Sequence, residues 1–168
     1  MASKRDAGND FASFFNARQK SLVRTAFLLS GDAAAAEDIA QNALAKLYLA
    51  WDRLGSVDYP DAYVRRVLVN EANSWHRKPW KRREIVVAEL PDSIVDPAET
   101  TGVIWEWVCT LPPKQRAVVV LRYYEGLSDP EIGVILDIAT STVSSQASRA
   151  LTTLRTRIPA GITEGDVS

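Results

Sequence analysis

Residues 84–106 carry six acidic side chains and no Lys or Arg. They follow directly on residues 61–83, where seven basic residues stand against two acids. The local net charge therefore swings from +5 to −6 within one short stretch. A segment this acidic, broken by Pro91 and Pro97, is poorly suited to a hydrophobic core and reads as an interdomain linker. The chain is thus expected to fold as two bodies: residues 10–83, an acidic linker at 84–95, residues 96–158, and a flexible tail at 159–168. A length of 168 residues suits two small domains. The overall net charge of −1 conceals this polarity, so it says nothing against a nucleic-acid partner.

Within each body, apolar residues recur at three- and four-residue spacing, and no stretch alternates with period two. The expected fold class is all-α. Phe11, Phe14, Phe15, Leu22, Ala26 and Leu29 predict a helix over residues 11–29. Gly31 suits a left-handed stop and Asp32 an N-cap for the next helix, residues 33–51. Its stripe is Ile39, Ala43, Leu44, Leu47 and Trp51. After a turn-rich loop at 52–59, Pro60 opens a third helix running to Lys78, where Pro79 discourages continuation. Its apolar side is Val64, Val67, Leu68, Ala72 and Trp75.

In the second body, Asp96, Pro97 and Glu99 resemble a capped helix start, predicting a helix over 96–110. Pro112 and Pro113 break it. Ala117, Val120, Leu121 and Tyr124 then predict a helix over 113–125, ended by Gly126. Ser128 and Glu131 form a capping box for a short helix ending at Leu136. A tight turn at 137–139 leads to a last helix over 140–157.

Composition excludes several function classes. A single cysteine, Cys109, forms no intrachain disulfide and no thiolate zinc site. A single histidine, His76, rules out a multi-histidine metal centre, and no catalytic set can be assembled, so neither enzyme, metal nor cofactor is expected. No apolar run approaches a membrane span and the first ten residues lack a secretory core, so the expected setting is cytoplasmic, with no membrane partner. His76 reads as a surface residue, and Cys109 as a small buried apolar one. The adjacent carboxylates Glu37 and Asp38, with Gln41 and Asn42, read as a solvated or protein-binding face.

Two constellations point to nucleic acid. Residues 128–155 have the layout of a helix-turn-helix, with Ile132, Ile135, Ile138, Val143, Ala147, Ala150, Leu151 and Leu154 as buried positions. The last helix opens with polar residues: Thr140, Ser141, Thr142, Ser144, Ser145, Gln146, Ser148 and Arg149. Such a helix fits the major groove, its first turns meeting base edges and phosphates. A helical hairpin with a solvated Ser/Thr face is the plainer alternative. The second constellation is the stripe Arg66, Asn70, Asn73 and Arg77, continued by Lys78 and accompanied by Trp75 and Trp80. Amide and guanidinium groups beside aromatic rings suit unstacked bases, although Trp75 alone fits a core position.

The stretches Thr25-Ala26-Phe27-Leu28-Leu29-Ser30-Gly31-Asp32, Ala36-Glu37-Asp38-Ile39-Ala40-Gln41-Asn42-Ala43-Leu44 and Tyr63-Val64-Arg65-Arg66-Val67-Leu68-Val69-Asn70 resemble the second domain of extracytoplasmic-function sigma factors. Residues 111–123, from Leu111-Pro112-Pro113 to Leu121-Arg122-Tyr123, with Leu127-Ser128 and Glu131-Ile132, resemble their fourth domain. The flavour is that of the short actinobacterial subgroup. The resemblance implies a promoter-recognition subunit of RNA polymerase. Glu37, Asp38, Gln41 and Asn42 would face the clamp helices of the largest polymerase subunit. The 52–59 loop would capture a flipped −10 base. Arg66, Asn70, Asn73, Arg77, Lys78 and Trp80 would track the melted −10 strand, and residues 140–149 would read the −35 duplex. The implied partners are core polymerase, through its clamp helices and flap, promoter DNA and an anti-sigma factor.

The chain departs from the family pattern at four places. Asp137 stands where the turn usually carries Gly. Ala139 stands where a Ser N-cap is usual, which leaves Thr140 to cap. Ser141 replaces a Gly. Ser144 and Gln146 replace basic residues, which predicts weaker or differently specified −35 binding. Two alternatives therefore remain: a stand-alone helix-turn-helix regulator, and a sigma-like interaction protein with weakened DNA reading.

Overall fold

The structure, a computed structural model, describes residues 4–54, 59–78 and 102–157. The expected linker at 84–95, the tail, Trp80, the capped start at 96–99 and residues 55–58 of the 52–59 loop lie outside the described residues.

Three helices form the first body: α1 (Lys4–Ser30), α2 (Ala33–Leu54) and α3 (Tyr59–His76). α1 begins seven residues ahead of Phe11, where the expected helix starts, in turns that carry no apolar stripe for periodicity to register. Gly31 ends it at φ +76°, the left-handed region that a residue without Cβ enters at low cost. Its N–H donates to Phe27 O at 2.7 Å. Asp32 Oδ1 accepts from Ala35 N at 2.8 Å, the N-cap geometry expected for α2. Leu22, Ala26, Leu44, Leu47, Val64 and Leu68 are fully buried between these helices. Phe11, Phe14 and Trp51 close one end as an aromatic cluster.

The second body contains α4 (Gly102–Val108), α5 (Pro113–Val119), α6 (Asp129–Leu136) and α7 (Thr140–Arg157). One long helix was expected over residues 113–125. Instead α5 widens into a π-helical turn at Val120–Tyr124, with Glu125 N donating to Val120 O at 3.0 Å. Such a turn re-aims the side chains within it and just after it, here Arg122, Tyr123 and Glu125. The core of this body is Val108, Leu111, Val118, Leu121, Ile132, Val143, Ala147 and Ala150.

The two bodies touch, and their buried residues form one continuous cluster. α1 and α3 meet α5, and α3 meets α6. Glu125 provides one polar tie: Oε1 accepts from Thr25 Oγ1 at 2.6 Å, and Oε2 from Arg65 at 3.1 Å. Arg116 provides the other. It is 7% exposed, and its NH1 donates to Leu29 O at 2.9 Å while NH2 donates to Leu111 O at 3.0 Å and to Cys109 O. A guanidinium at the C-terminus of α1 satisfies a carbonyl that has no intrahelical partner and meets the negative end of the helix dipole.

His76 corrects an expectation. It is half-buried at the end of α3, with Nε2 2.8 Å from Leu29 O and 2.9 Å from Arg116 NH1. The basic run beside it suggested solvent, but the second body covers it. Cys109 packs under Gly31, and burial pushes its thiol up from the ordinary value.

Candidate nucleic-acid and polymerase interfaces

The helix-turn-helix is built from α6 and α7. Ser128 Oγ accepts from Glu131 N at 3.3 Å and caps α6, as the capping box predicts. Asp137 turns the chain at φ 56° and ψ 49°, so aspartate carries the left-handed residue where the family usually has Gly. Gly133 makes the tight approach possible: a Cβ there would lie 2.8 Å from Ile138 O. Ala139, rather than Thr140, occupies the N-cap position of α7, since its carbonyl accepts from Thr142 N and Val143 N. Thr140 is already the first helical residue.

α7 buries Val143, Ala147, Ala150 and Leu154 and half-buries Leu151. Thr140, Ser141, Thr142, Ser144, Ser145, Ser148 and Arg149 are exposed, and Gln146 is half-buried. The anticipated polar face is therefore outward. Some hydroxyls are engaged locally: Ser145 Oγ donates to Ser141 O at 3.0 Å. Ser144 Oγ donates to Asp129 Oδ2 at 2.9 Å, a cross-helix bond to the first turn of α6. Asp129 Oδ1 also lies 3.5 Å from Arg122 Nε, and Arg122 sits over the Tyr123 ring at 5.6 Å. Sequence reasoning missed this trio. Arg122 reaches α6 from the π-helical turn, and nothing in a helical periodicity signals that turn.

On α3, Arg66 and Asn70 are exposed and Asn73 is half-buried, and just past its end Arg77 and Lys78 are exposed. Arg77 Nε donates back to Asn73 O at 3.3 Å. Val64, Leu68 and Ala72 are buried on the other side, so the polar stripe faces away from the core. Trp75 is half-buried against the cluster, the core role that was the alternative to stacking. Arg65, the neighbour of Arg66, faces the second body.

On α2, Glu37, Asp38, Gln41 and Asn42 are exposed, while Ala36, Ile39, Ala40 and Ala43 are buried. The exposed face continues past Lys46, which pairs with Glu71 at 2.5 Å, to Leu49. Leu49 is 79% exposed, a large apolar side chain in the open beside four polar ones.

Residues 14–82 match the family model for sigma-70 region 2, and residues 102–154 match sigma-70 region 4. The chain is 36% identical over 150 residues to an RNA polymerase sigma-E factor of Streptomyces avermitilis, covering 87% of this chain and 83% of that one. The chain belongs to the extracytoplasmic-function sigma factors. It is also 27% identical to the extracytoplasmic-function RNA polymerase sigma factor SigW of Bacillus subtilis, over 92% of each chain. Among solved structures, the sigma factor RpoE in complex with the anti-sigma factor NepR, from Bartonella quintana, aligns with a TM-score of 0.68 and 25% identity. That alignment covers 88% of this chain and 95% of that one. Among the described residues, no helix of this sigma factor is long and apolar enough to cross a membrane. No cluster of metal-ligating side chains occurs among them.

Proposed function

We propose that this sigma factor works in the cytoplasm by docking on RNA polymerase core and carrying two DNA-reading faces to a promoter. α2 presents Glu37, Asp38, Gln41 and Asn42 to the clamp helices of the largest subunit, and the second body engages the flap. α3 presents Arg66, Asn70, Asn73, Arg77 and Lys78, with Trp80 beyond the described residues, to the melted −10 strand. α7 presents Thr140, Ser141, Thr142, Ser144, Ser145, Gln146, Ser148 and Arg149 to the −35 duplex. The observation that carries this reading is the segregation of each helix: apolar positions are buried on one side, and every proposed contact among the described residues is exposed or half-exposed on the other.

The chemistry agrees with a division of labour. Unpairing a base costs a few kcal/mol, so melting needs a surface that holds the base once it is out. Duplex reading needs only a helix in the major groove. Both are binding functions, and nucleotide chemistry belongs to the polymerase. An anti-sigma protein is the expected regulator, by analogy with the Bartonella quintana complex.

The test is to add the purified chain to core polymerase and assay initiation on closed and pre-opened promoter DNA. Co-migration with core and specific transcripts support the proposal. Duplex binding with no co-migration with core points to a stand-alone regulator. Core binding without transcripts points to an interaction protein, a reading favoured by the acid that Asp129 places beside Ser144.

A further inference from the structure

We infer that Asp129 acts as a built-in competitor for DNA phosphate: an affinity-setting residue that holds Arg122 and Ser144 in the free protein and weakens the grip of α7 on duplex. This rests on the reading of α7 as the duplex-reading helix. Asp129 is the first residue of α6, and both of its carboxylate oxygens are engaged. Oδ2 accepts from Ser144 Oγ at 2.9 Å, and Oδ1 lies 3.5 Å from Arg122 Nε. One carboxylate thus bridges the recognition helix to the only cation in direct contact with that junction among the described residues. A phosphate offers guanidinium and hydroxyl donors the same anionic oxygens. Asp129 therefore stands where a phosphate would draw those donors.

The arrangement is reversible. The Arg122 side chain is 36% exposed and that of Asp129 20%, and a pair this exposed is a weak one. A DNA strand can displace it. The π-helical turn that carries Arg122 is the kind of local irregularity that accumulates at working sites, and here it aims a cation across to α6. The effect on binding is twofold: Arg122 is partly neutralised before DNA arrives, and a fixed negative charge faces the approaching backbone. Ser144, which donates no charge, leaves the carboxylate unopposed on the α7 side.

The test is a salt titration of full-length protein on a short mixed-sequence DNA duplex, comparing wild type with Asp129→Asn and Asp129→Ser. Asn keeps an acceptor for Ser144, and Ser is at home in a first helical turn, so at least one variant retains the fold; thermal unfolding checks this. Freeing one cation for phosphate steepens the log–log salt slope by about 0.9. From about 50 to 200 mM salt the variants then lose about 3.5-fold more affinity than wild type, starting from tighter binding at low salt. Adding Arg122→Ala to Asp129→Asn abolishes the steepening. Slopes equal to wild type, or a steepening that survives Arg122→Ala, overturn the competitor role and leave the duplex-reading role of α7 standing. Failure of wild type and both variants to bind duplex at low salt overturns both.

Discussion

Replacing Arg116 with methionine should cost this protein about 3 kcal/mol of stability. The guanidinium is 7% exposed and reaches the carbonyls of Leu29, Cys109 and Leu111. Leu29 O keeps His76 Nε2 at 2.8 Å, but the carbonyls of Cys109 and Leu111, left buried without a donor, cost about 1–3 kcal/mol each. Two at about 1.5 kcal/mol each give about 3 kcal/mol, and the apolar side chain of Met fills most of the space. The opposing effect is relief of the desolvation that holds the Arg116 pKa below its ordinary value. That relief holds the loss toward the low end of the range. For a chain of this size the loss lowers Tm by about 6–12 °C. Arg116→Lys keeps the charge but not the fork, and should fall between the two. Differential scanning calorimetry on wild type and both variants provides the check. A methionine variant within about 1 kcal/mol of wild type would refute the claim that the carbonyls of Cys109 and Leu111 depend on Arg116 for a donor.

Glu125→Ala removes the acceptor shared by Thr25 and Arg65, worth about 2 kcal/mol after discounting for partial exposure, and should shift the balance toward separated bodies about 30-fold. Small-angle scattering should then report a radius of gyration above the roughly 15 Å of a compact chain this long; an unchanged radius would count against the tie. Ser144→Lys should strengthen duplex binding and steepen its salt dependence, but by less than one full phosphate contact, since the new amine meets Asp129; a titration superposing on wild type would argue against a DNA role for that position. Gly133→Ala should destabilise the second body, because its Cβ would press on a backbone carbonyl; an unaltered denaturant midpoint would contradict the close approach. Cys109 should alkylate more slowly than the thiol of the unfolded chain at mildly alkaline pH. Its folded pKa is raised by burial, so its contribution to stability is full below the ordinary thiol value of about 8.5 and declines as pH rises past it. Equal alkylation rates in folded and unfolded protein would refute the burial.

The helices of both bodies were legible because their apolar stripes are long and regular. Ile132, Val143, Ala147, Ala150 and Leu154 were read from period alone and are buried. Gly31 and Asp32 announced the α1–α2 turn because only a few residue types suit those backbone positions. The π-helical turn was not legible, since one inserted residue changes hydrogen-bond register without changing composition. Nor was the burial of His76 and Arg116. A basic side chain reads as solvated unless the reader knows that a helix end lacking donors lies opposite it, and that depends on how the two bodies meet. The outward stripes on α2, α3 and α7 could be anticipated by subtracting the apolar face. The cross-helix bond from Ser144 to Asp129 depends on the α6–α7 geometry, which no spacing rule supplies.

The Arg116 and Glu125 ties bear on distance along DNA. With one phosphate every 3.4 Å per strand, some 25 base pairs between the −35 and −10 elements span about 85 Å. A compact chain of this length has a diameter of only about 40 Å. While the ties hold, the free protein can touch one element or the other, and never both. The 23 residues at 79–101 could stretch to about 80 Å at most, enough to let the bodies straddle a promoter once parted. Simultaneous reading of the two elements therefore falls to a scaffold large enough to hold the halves apart, and bare DNA offers no such purchase.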